Sequence, residues 1–180
     1  MYPVMDLDLD GLRVRTLAAG DADLLVEATR AEPGRALWGP HPAGPYSPAD
    51  ASAALRAWEA EQVSYGVLDG ALLVAALGLM PSGPGEAELA YWVRPERRRE
   101  GLGRRAVRAV TDWAHAHAGL ARVWLEIDPD NAPSRRLAEG AGYRFEERLP
   151  RHCRSWLADD PAADAWHDCL IWTHETGPPR

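Results

Sequence analysis

Glu126 interrupts an apolar segment, VWLEID, and its position there suggests chemistry. Strand alternation places Val123, Leu125 and Ile127 on one face of this segment and the glutamate on the other. A carboxylate costs free energy to bury unless it is paired or used. Glu126 is therefore a candidate general base, with a structural salt bridge as the alternative, and Glu88 on a neighbouring predicted strand is the reserve base.

A second stretch with chemical potential is RRREGLGRRA, from Arg97 to Ala106, which follows the predicted strand AELAYWVR and opens a predicted helix. Glycines at a helix start leave the first backbone N–H groups open to a ligand, and those groups and the helix dipole attract phosphate. Arginines nearby can pair with further phosphate charge. The stretch therefore predicts a pyrophosphate cradle.

Two other interpretations of this stretch stay open. GLGRRA formally fits the G-x-G-x-x-A pattern of dinucleotide-binding folds, but in those folds the glycines directly follow the first strand, whereas here seven residues separate YWV from Gly101. The stretch also fits a solvated charge run ahead of an ordinary amphipathic helix. That interpretation leaves the two glycines unexplained, since each lowers helix propensity by about 1 kcal/mol relative to alanine.

Composition excludes several classes of protein. The 180 residues are 46% hydrophobic and 26% charged, which predicts one soluble domain over 1–180 with a loose tail at 173–180. The net charge of −7 argues against a nucleic-acid partner, and no run is long enough to span a membrane, so we expect a cytoplasmic protein. The chain has no lysine, which excludes a Walker A site and a Schiff-base enzyme.

The two cysteines, Cys153 and Cys169, are too few for a disulfide framework. We expect them to be reduced thiols. No cysteine or histidine pattern has the spacing of a zinc site, so no metal is expected.

The order of predicted elements is β-α-α-β-β-β-α-β-α-β-β, which indicates an α/β (α+β) layered domain. Asp69-Gly70 predicts a tight hairpin between two strands. Asn131 and the proline after it predict the start of the last helix, and Gly142 its end. The strands are expected over 12–17, 63–68, 71–80, 87–94, 121–128, 143–149 and 167–174.

Several of these segments resemble the GNAT N-acetyltransferase superfamily. RREGLG, from Arg98 to Gly103, is similar to the R/Q-x-x-G-x-G/A pyrophosphate motif, and VWLEIDPDNAPSRRLAEGAGYRFE resembles the fifth strand, the next helix and the strand after it. GPHPAGPYSPADASAALRAW is most similar to the RimJ/RimL-type branch, which includes ribosomal-protein N-terminal acetyltransferases. The resemblance implies an acyl-CoA N-acyltransferase fold. Such a fold has a mixed, mostly antiparallel sheet of about six to seven strands, flanked by about four helices and splayed between strands four and five.

The resemblance implies acetyl-CoA as co-substrate. Its pantetheine arm would bind the backbone of Tyr91, Trp92 and Val93 as an added strand does. Asn131 matches a family asparagine that contacts pantetheine, and its alternative role is the helix N-cap alone. The residues implied for pyrophosphate binding are Arg98, Arg99, Glu100, Gly101, Leu102, Gly103 and Arg104.

The resemblance also implies direct acetyl transfer to a primary amine, either a protein N-terminus or a small-molecule amine. Glu126 matches a frequent general base of the family. A family tyrosine that donates a proton is replaced here by Ala138, which leaves Ser134 as the candidate acid. The missing tyrosine keeps open a catalytically weak module that binds acyl-CoA or a protein partner, and a homodimer is possible.

Overall fold

The structure is a computed structural model that describes residues 2–31, 45–155 and 165–177. Within these ranges the chain forms eight β-strands and four α-helices, with short 3-10 turns at Ala19–Asp21 and Pro95–Arg97. In chain order the elements are β1 (Asp6–Leu9), β2 (Leu12–Thr16), α1 (Ala22–Ala28), α2 (Pro48–Glu61), β3 (Val63–Asp69), β4 (Leu72–Gly83), β5 (Glu86–Val93), α3 (Leu102–His117), β6 (Arg122–Ile127), α4 (Ala132–Gly140), β7 (Arg144–Ser155) and β8 (Ala165–Glu175).

Strand β1 was not predicted, and it raises the strand count from the expected six or seven to eight. It forms a hairpin with β2 through Asp10 and Gly11, both of which have positive φ angles of 53° and 83°. An Asp-Gly pair favours this type of turn. Between β3 and β4 the two turn residues are Gly70 and Ala71, one residue later than the predicted Asp69-Gly70 pair, because Asp69 still pairs with Leu72. The signal was therefore present in the sequence, but acidic side chains alternate with Leu7 and Leu9 along β1 and mask its strand character.

The eight strands form one sheet in the order β1-β2-β3-β4-β5-β6-β8-β7. All neighbouring pairs are antiparallel except β5 and β6, which are parallel. The sheet is thus mixed and mostly antiparallel, as the resemblance implied.

Strands β5 and β6 diverge soon after they meet. Their ladder joins Glu86–Glu88 to Arg122–Trp124 and goes no further, although β5 continues to Val93 and β6 to Ile127. Along its other edge β5 stays paired with β4 as far as Val93. The expected splay between two central strands is confirmed, and it leaves a wedge with backbone groups of β5 along one wall.

Helices cover both faces of the sheet around this wedge. On one face α3 and α4 pack on the apolar side of β5 and β6, with Val107, Val110 and Ala138 fully buried. On the other face α1 and α2 pack over Leu73 and Trp92. Because alternate residues of a strand share a face, Glu88 lies on the same side of the sheet as Trp92.

Strand β8 runs to Glu175, so the tail predicted over 173–180 begins later than expected, and 178–180 lie outside the described residues. No helix in the described ranges is long and apolar enough to span a membrane.

Candidate active site

The glycine-rich loop forms the entrance to α3, as its sequence predicts. Gly101 is the N-cap residue and has a φ of 75°, a conformation that a side chain would strain. The first hydrogen bond of the helix runs from Arg105 N to Gly101 O at 3.1 Å. The N–H groups of Leu102, Gly103 and Arg104 therefore lie before the first hydrogen bond of the helix. They are available to an anion.

The arginines of this loop have different roles. Arg97 is an anchor, because its guanidinium donates to Glu100 at 2.9 Å and to Asp69 in the β3–β4 turn at 2.8 Å. Arg98 is exposed, and its Nε donates to Val93 O at the end of β5. Arg99 is exposed and has a φ of 67°, so the loop holds it in a conformation that residues with a side chain rarely adopt.

Gly103 has a packing role that the sequence did not reveal. A Cβ atom at this position would lie 2.8 Å from Leu137 Cδ1 of α4 and 3.1 Å from Val93 Cγ2 of β5. The absent side chain thus allows α3 to approach α4 and the splayed end of β5 closely. The motif glycine sets the geometry of the wedge as well as leaving its own N–H group accessible.

Tyr91 lies in the part of β5 beyond the β5–β6 ladder. Its hydroxyl is buried and has no hydrogen-bond partner among the described residues. Burial raises the pKa of Tyr91, and the nearby Ser134 hydroxyl of α4 partly offsets that rise, without the geometry of a hydrogen bond. A buried hydroxyl that lacks a partner costs free energy, which is typical of a position that serves a ligand.

At the start of α4, Asn131 acts as the helix cap. Its Oδ1 accepts a hydrogen bond from Ser134 N at 3.1 Å. The Ser134 side chain is half-buried beside Tyr91, whereas Ala138 is fully buried in the core. A tyrosine at position 138 would have no space, and the Tyr91 phenol from β5 packs against that core instead.

Two carboxylates stand on the same face of the sheet. Glu88 is the cross-strand partner of Trp124, and Glu126 follows two residues later on that face. Burial, and then the charge of Glu126, raise the pKa of Glu88 to about 7. Burial also raises the pKa of Glu126, while His152 and His167 lower it.

The neighbours of Glu126 come from β7 and β8, which sequence reasoning did not place beside it. His152 Nε2 is 4.0 Å from Glu126 Oε1, and Cys153 Sγ contacts the same oxygen. Among the described residues, the basic side chain closest to the Glu126 carboxylate is therefore a histidine and not an arginine. Strand pairing across a long connection brings these residues together, and spacing along the sequence carries no signal of it.

The expectation of two separate reduced thiols is wrong. Cys153 and Cys169 form a disulfide between β7 and β8, with their Cα atoms 5.9 Å apart. Antiparallel pairing of the two strands brings these cysteines together from positions 16 residues apart.

Three tryptophans occupy loop positions in the sequence from which they could line a pocket for an amine. Two of them, Trp38 and Trp156, lie outside the described residues. Trp166 at the start of β8 is 54% exposed.

A splayed sheet with a glycine cradle at one end can hold an extended ligand with an anionic group. The chain matches the model of the acetyltransferase (GNAT) domain over residues 11–144. It belongs to the GNAT acetyltransferase family. This GNAT domain is accordingly an N-acetyltransferase, and acetyl-CoA is its co-substrate.

Solved structures share the fold of this GNAT domain. A ribosomal-protein-S5-alanine acetyltransferase from Vibrio fischeri is 16% identical with a TM-score of 0.77, over 95% of this chain and 96% of that one. A putative ribosomal-protein-serine acetyltransferase from Vibrio cholerae is 22% identical with a TM-score of 0.76, over 98% and 100%. Mycobacterium smegmatis RimJ, in complex with CoA-disulfide, is 22% identical with a TM-score of 0.71, over 97% and 90%. The RimJ/RimL-type resemblance is confirmed at the level of the fold, and no curated protein matches the chain in sequence.

Proposed function

We propose that this GNAT domain transfers an acetyl group from acetyl-CoA directly to the α-amino group of a protein N-terminus. The observation that carries the proposal is the wedge between β5 and β6, with a cradle of N–H groups that precede the first hydrogen bond of α3 at one end and a half-buried carboxylate pair on its wall. Two of the similar solved structures are named as ribosomal-protein acetyltransferases, and these names support the choice of acceptor.

The donor would bind along β5 and the start of α3. The N–H groups of 99–104 and the exposed side chains of Arg98 and Arg99 suit a pyrophosphate. The backbone of Tyr91, Trp92 and Val93 lies beyond the β5–β6 ladder and can pair with an extended arm. Asn131 would add a contact at the opposite wall, although its Oδ1 already caps α4.

The acceptor amine must lose a proton before it attacks. It arrives as an ammonium ion, which the Glu88 and Glu126 carboxylates attract by charge. Glu126 is half-buried and lies at the outer end of this pair, so we assign it as the general base, and Glu88 as its reserve.

The leaving thiolate needs a proton or a hydrogen bond. Ser134 is the acid that the sequence suggested, and the hydroxyl of Tyr91 beside it is the better-buried donor with no other partner among the described residues. Tyr91 thereby supplies from β5 the phenol that is missing at position 138. We assign the hydroxyls of Tyr91 and Ser134 together as the group that donates a proton or a hydrogen bond to the leaving thiolate.

Release of free thiol from acetyl-CoA with a panel of amines tests the acceptor. We expect release with peptides that have a free N-terminal alanine or serine, and none with the same peptides blocked at the N-terminus. Faster release with an aminoglycoside or a polyamine would replace the protein acceptor by a small-molecule amine. Tight binding of acetyl-CoA without release with any amine would favour the binding module instead.

Glu126→Gln tests the base in the same assay. Loss of a general base lowers kcat by about 10² to 10⁴-fold. Glu147→Gln is the matched control, because Glu147 is an exposed glutamate of β7. Equal rates for Glu126→Gln and wild type would remove Glu126 from the mechanism.

A further inference from the structure

Glu100 places a negative charge beside the proposed pyrophosphate cradle. Its side chain is exposed, and it directly precedes Gly101, the N-cap residue of α3. Gly101 provides no side-chain cap, and the first turn of α3 contains no acidic residue. A helix N-terminus attracts carboxylates for the same reason that it attracts phosphates. A free Glu100 side chain would therefore compete with an anionic ligand for the N–H groups at the start of α3.

Arg97 holds this carboxylate. Its Nε donates to Glu100 Oε2 at 2.9 Å, and a terminal nitrogen of the same guanidinium donates to Asp69 Oδ2 at 2.8 Å. Asp69 is the last residue of β3 and pairs with Leu72 of β4, so this end of the contact is fixed to the sheet. A planar guanidinium directs its N–H groups along fixed lines, which an ammonium group does not. Arg97 thus ties Glu100 to the sheet and offsets its charge.

The contact between Arg97 and Glu100 also spans the strained residue of the loop. Arg99 lies between the two and has a φ of 67°. A left-handed backbone costs free energy in a residue with a side chain, and it persists only where the surrounding structure holds it. Because the ion pair joins residues on both sides of Arg99, it stabilises the loop conformation that leads into Gly101.

We propose that Arg97 is a positioning residue for acetyl-CoA, which keeps the cradle open by holding the Glu100 carboxylate away from the N-terminus of α3. The pyrophosphate then meets the N–H groups of the cradle without competition from Glu100. Arg97 itself does not contact the donor in this assignment, since its guanidinium already binds two carboxylates. The inference rests on the proposed donor site, and it names the residue pair that keeps that site accessible.

Calorimetric titration of the full-length variants with acetyl-CoA tests the role of Arg97. We expect Arg97→Gln to raise the dissociation constant by at least about 10-fold, because the released carboxylate is a like charge beside the pyrophosphate. In the double variant Arg97→Gln/Glu100→Gln the affinity should return to within about threefold of wild type, because the competing charge is absent. A purely structural role of the ion pair predicts no such recovery, since the double variant lacks both partners.

Steady-state kinetics provide a second readout. For Arg97→Gln we expect the KM for acetyl-CoA to rise while kcat stays within about twofold of wild type, because the reacting groups are unchanged. Arg108→Gln is the matched control, because Arg108 is an exposed arginine of α3 that pairs with Asp112 at 3.7 Å, and it should keep the wild-type KM. Circular dichroism verifies that each variant folds. If Arg97→Gln does not fold, Arg97→Lys with and without Glu100→Gln gives the same comparison, because an ammonium group cannot hold both carboxylates in the same way.

S-acetylpantetheine, which lacks the pyrophosphate, separates this inference from the donor site on which it rests. Wild type should bind acetyl-CoA more tightly than S-acetylpantetheine, and Arg97→Gln should lose affinity for acetyl-CoA only. Equal binding of the two donors by wild type would overturn the proposed donor site together with the role of Arg97. If wild type prefers acetyl-CoA, but Arg97→Gln binds it equally well or Glu100→Gln does not restore the lost affinity, the role of Arg97 alone is overturned.

Discussion

Glu88 couples the chemistry of the site to the stability of the fold. Its half-buried carboxyl lies on the same face of the sheet as Glu126, and its pKa of about 7 lies well above the ordinary value of 4.5. Below pH 4.5 the carboxyl is protonated in both the folded and the unfolded chain. As the pH rises towards 7, the unfolded chain releases this proton first, so the free energy of unfolding falls.

Replacement of Glu88 by glutamine removes this pH dependence. We expect Glu88→Gln to gain stability relative to wild type between pH 5 and pH 8, by about 1 to 3 kcal/mol at the upper end. Urea unfolding at several pH values measures the difference, with Glu147→Gln as the exposed control. A difference between Glu88→Gln and wild type that does not change with pH would contradict the assigned pKa.

Tyr91→Phe separates a catalytic hydroxyl from a structural one. Because the hydroxyl is buried without a partner among the described residues, its removal should leave the free energy of unfolding equal or higher. If the hydroxyl assists the leaving thiolate, kcat falls by about 10 to 100-fold with an unchanged KM for acetyl-CoA.

Tyr143→Phe is the matched control for Tyr91→Phe. The Tyr143 hydroxyl is hydrogen-bonded to Thr111 at 2.6 Å in the core, so this variant should lose stability and keep its kcat. Unchanged kcat in Tyr91→Phe, together with a loss in Ser134→Ala, would make Ser134 the only acid.

Among the elements, α3 depends on close approach to α4 and β5. Gly103→Ala places a methyl group 2.8 Å from Leu137 Cδ1, and we expect it to cost about 1 to 3 kcal/mol of stability and to weaken acetyl-CoA binding. Chemical unfolding of Gly103→Ala, Leu137→Ala and the double variant measures the coupling between the two sites. If the double variant loses as much free energy of unfolding as the two single variants together, the contact between positions 103 and 137 is not what destabilises Gly103→Ala.

Elements with strong local signals could be predicted from the sequence, and elements that depend on long-range pairing could not. The helix at Leu102, its glycine N-cap and the Asn131 cap follow from residue types near each terminus. The β5–β6 splay was expected from resemblance, because no local pattern shows where a ladder ends. The Cys153–Cys169 pairing depends on the register of β7 against β8, which the sequence leaves unspecified.

For the whole molecule, composition and fold fit the proposed reaction. The net charge of −7 suits a cationic acceptor, while the exposed arginines at 98, 99 and 104 provide local positive charge for an anionic donor. The chain contains no lysine, so acetyl transfer to its own lysine side chains cannot obscure the assay. These features agree with a donor site and an acceptor site of opposite charge on the two sides of one wedge.

Calorimetric titration with acetyl-CoA tests the central claim most directly, namely that the wedge and the cradle at Gly101 and Gly103 hold the donor. We expect one site per chain with a dissociation constant in the micromolar range or below. We also expect loss of binding in Gly103→Trp, in a variant that circular dichroism shows to be folded, because the indole would push α3 away from α4 and β5, which leave no room for a side chain at this position. Absence of heat with wild type, or equal binding by folded Gly103→Trp, would show that the wedge and the cradle do not hold acetyl-CoA.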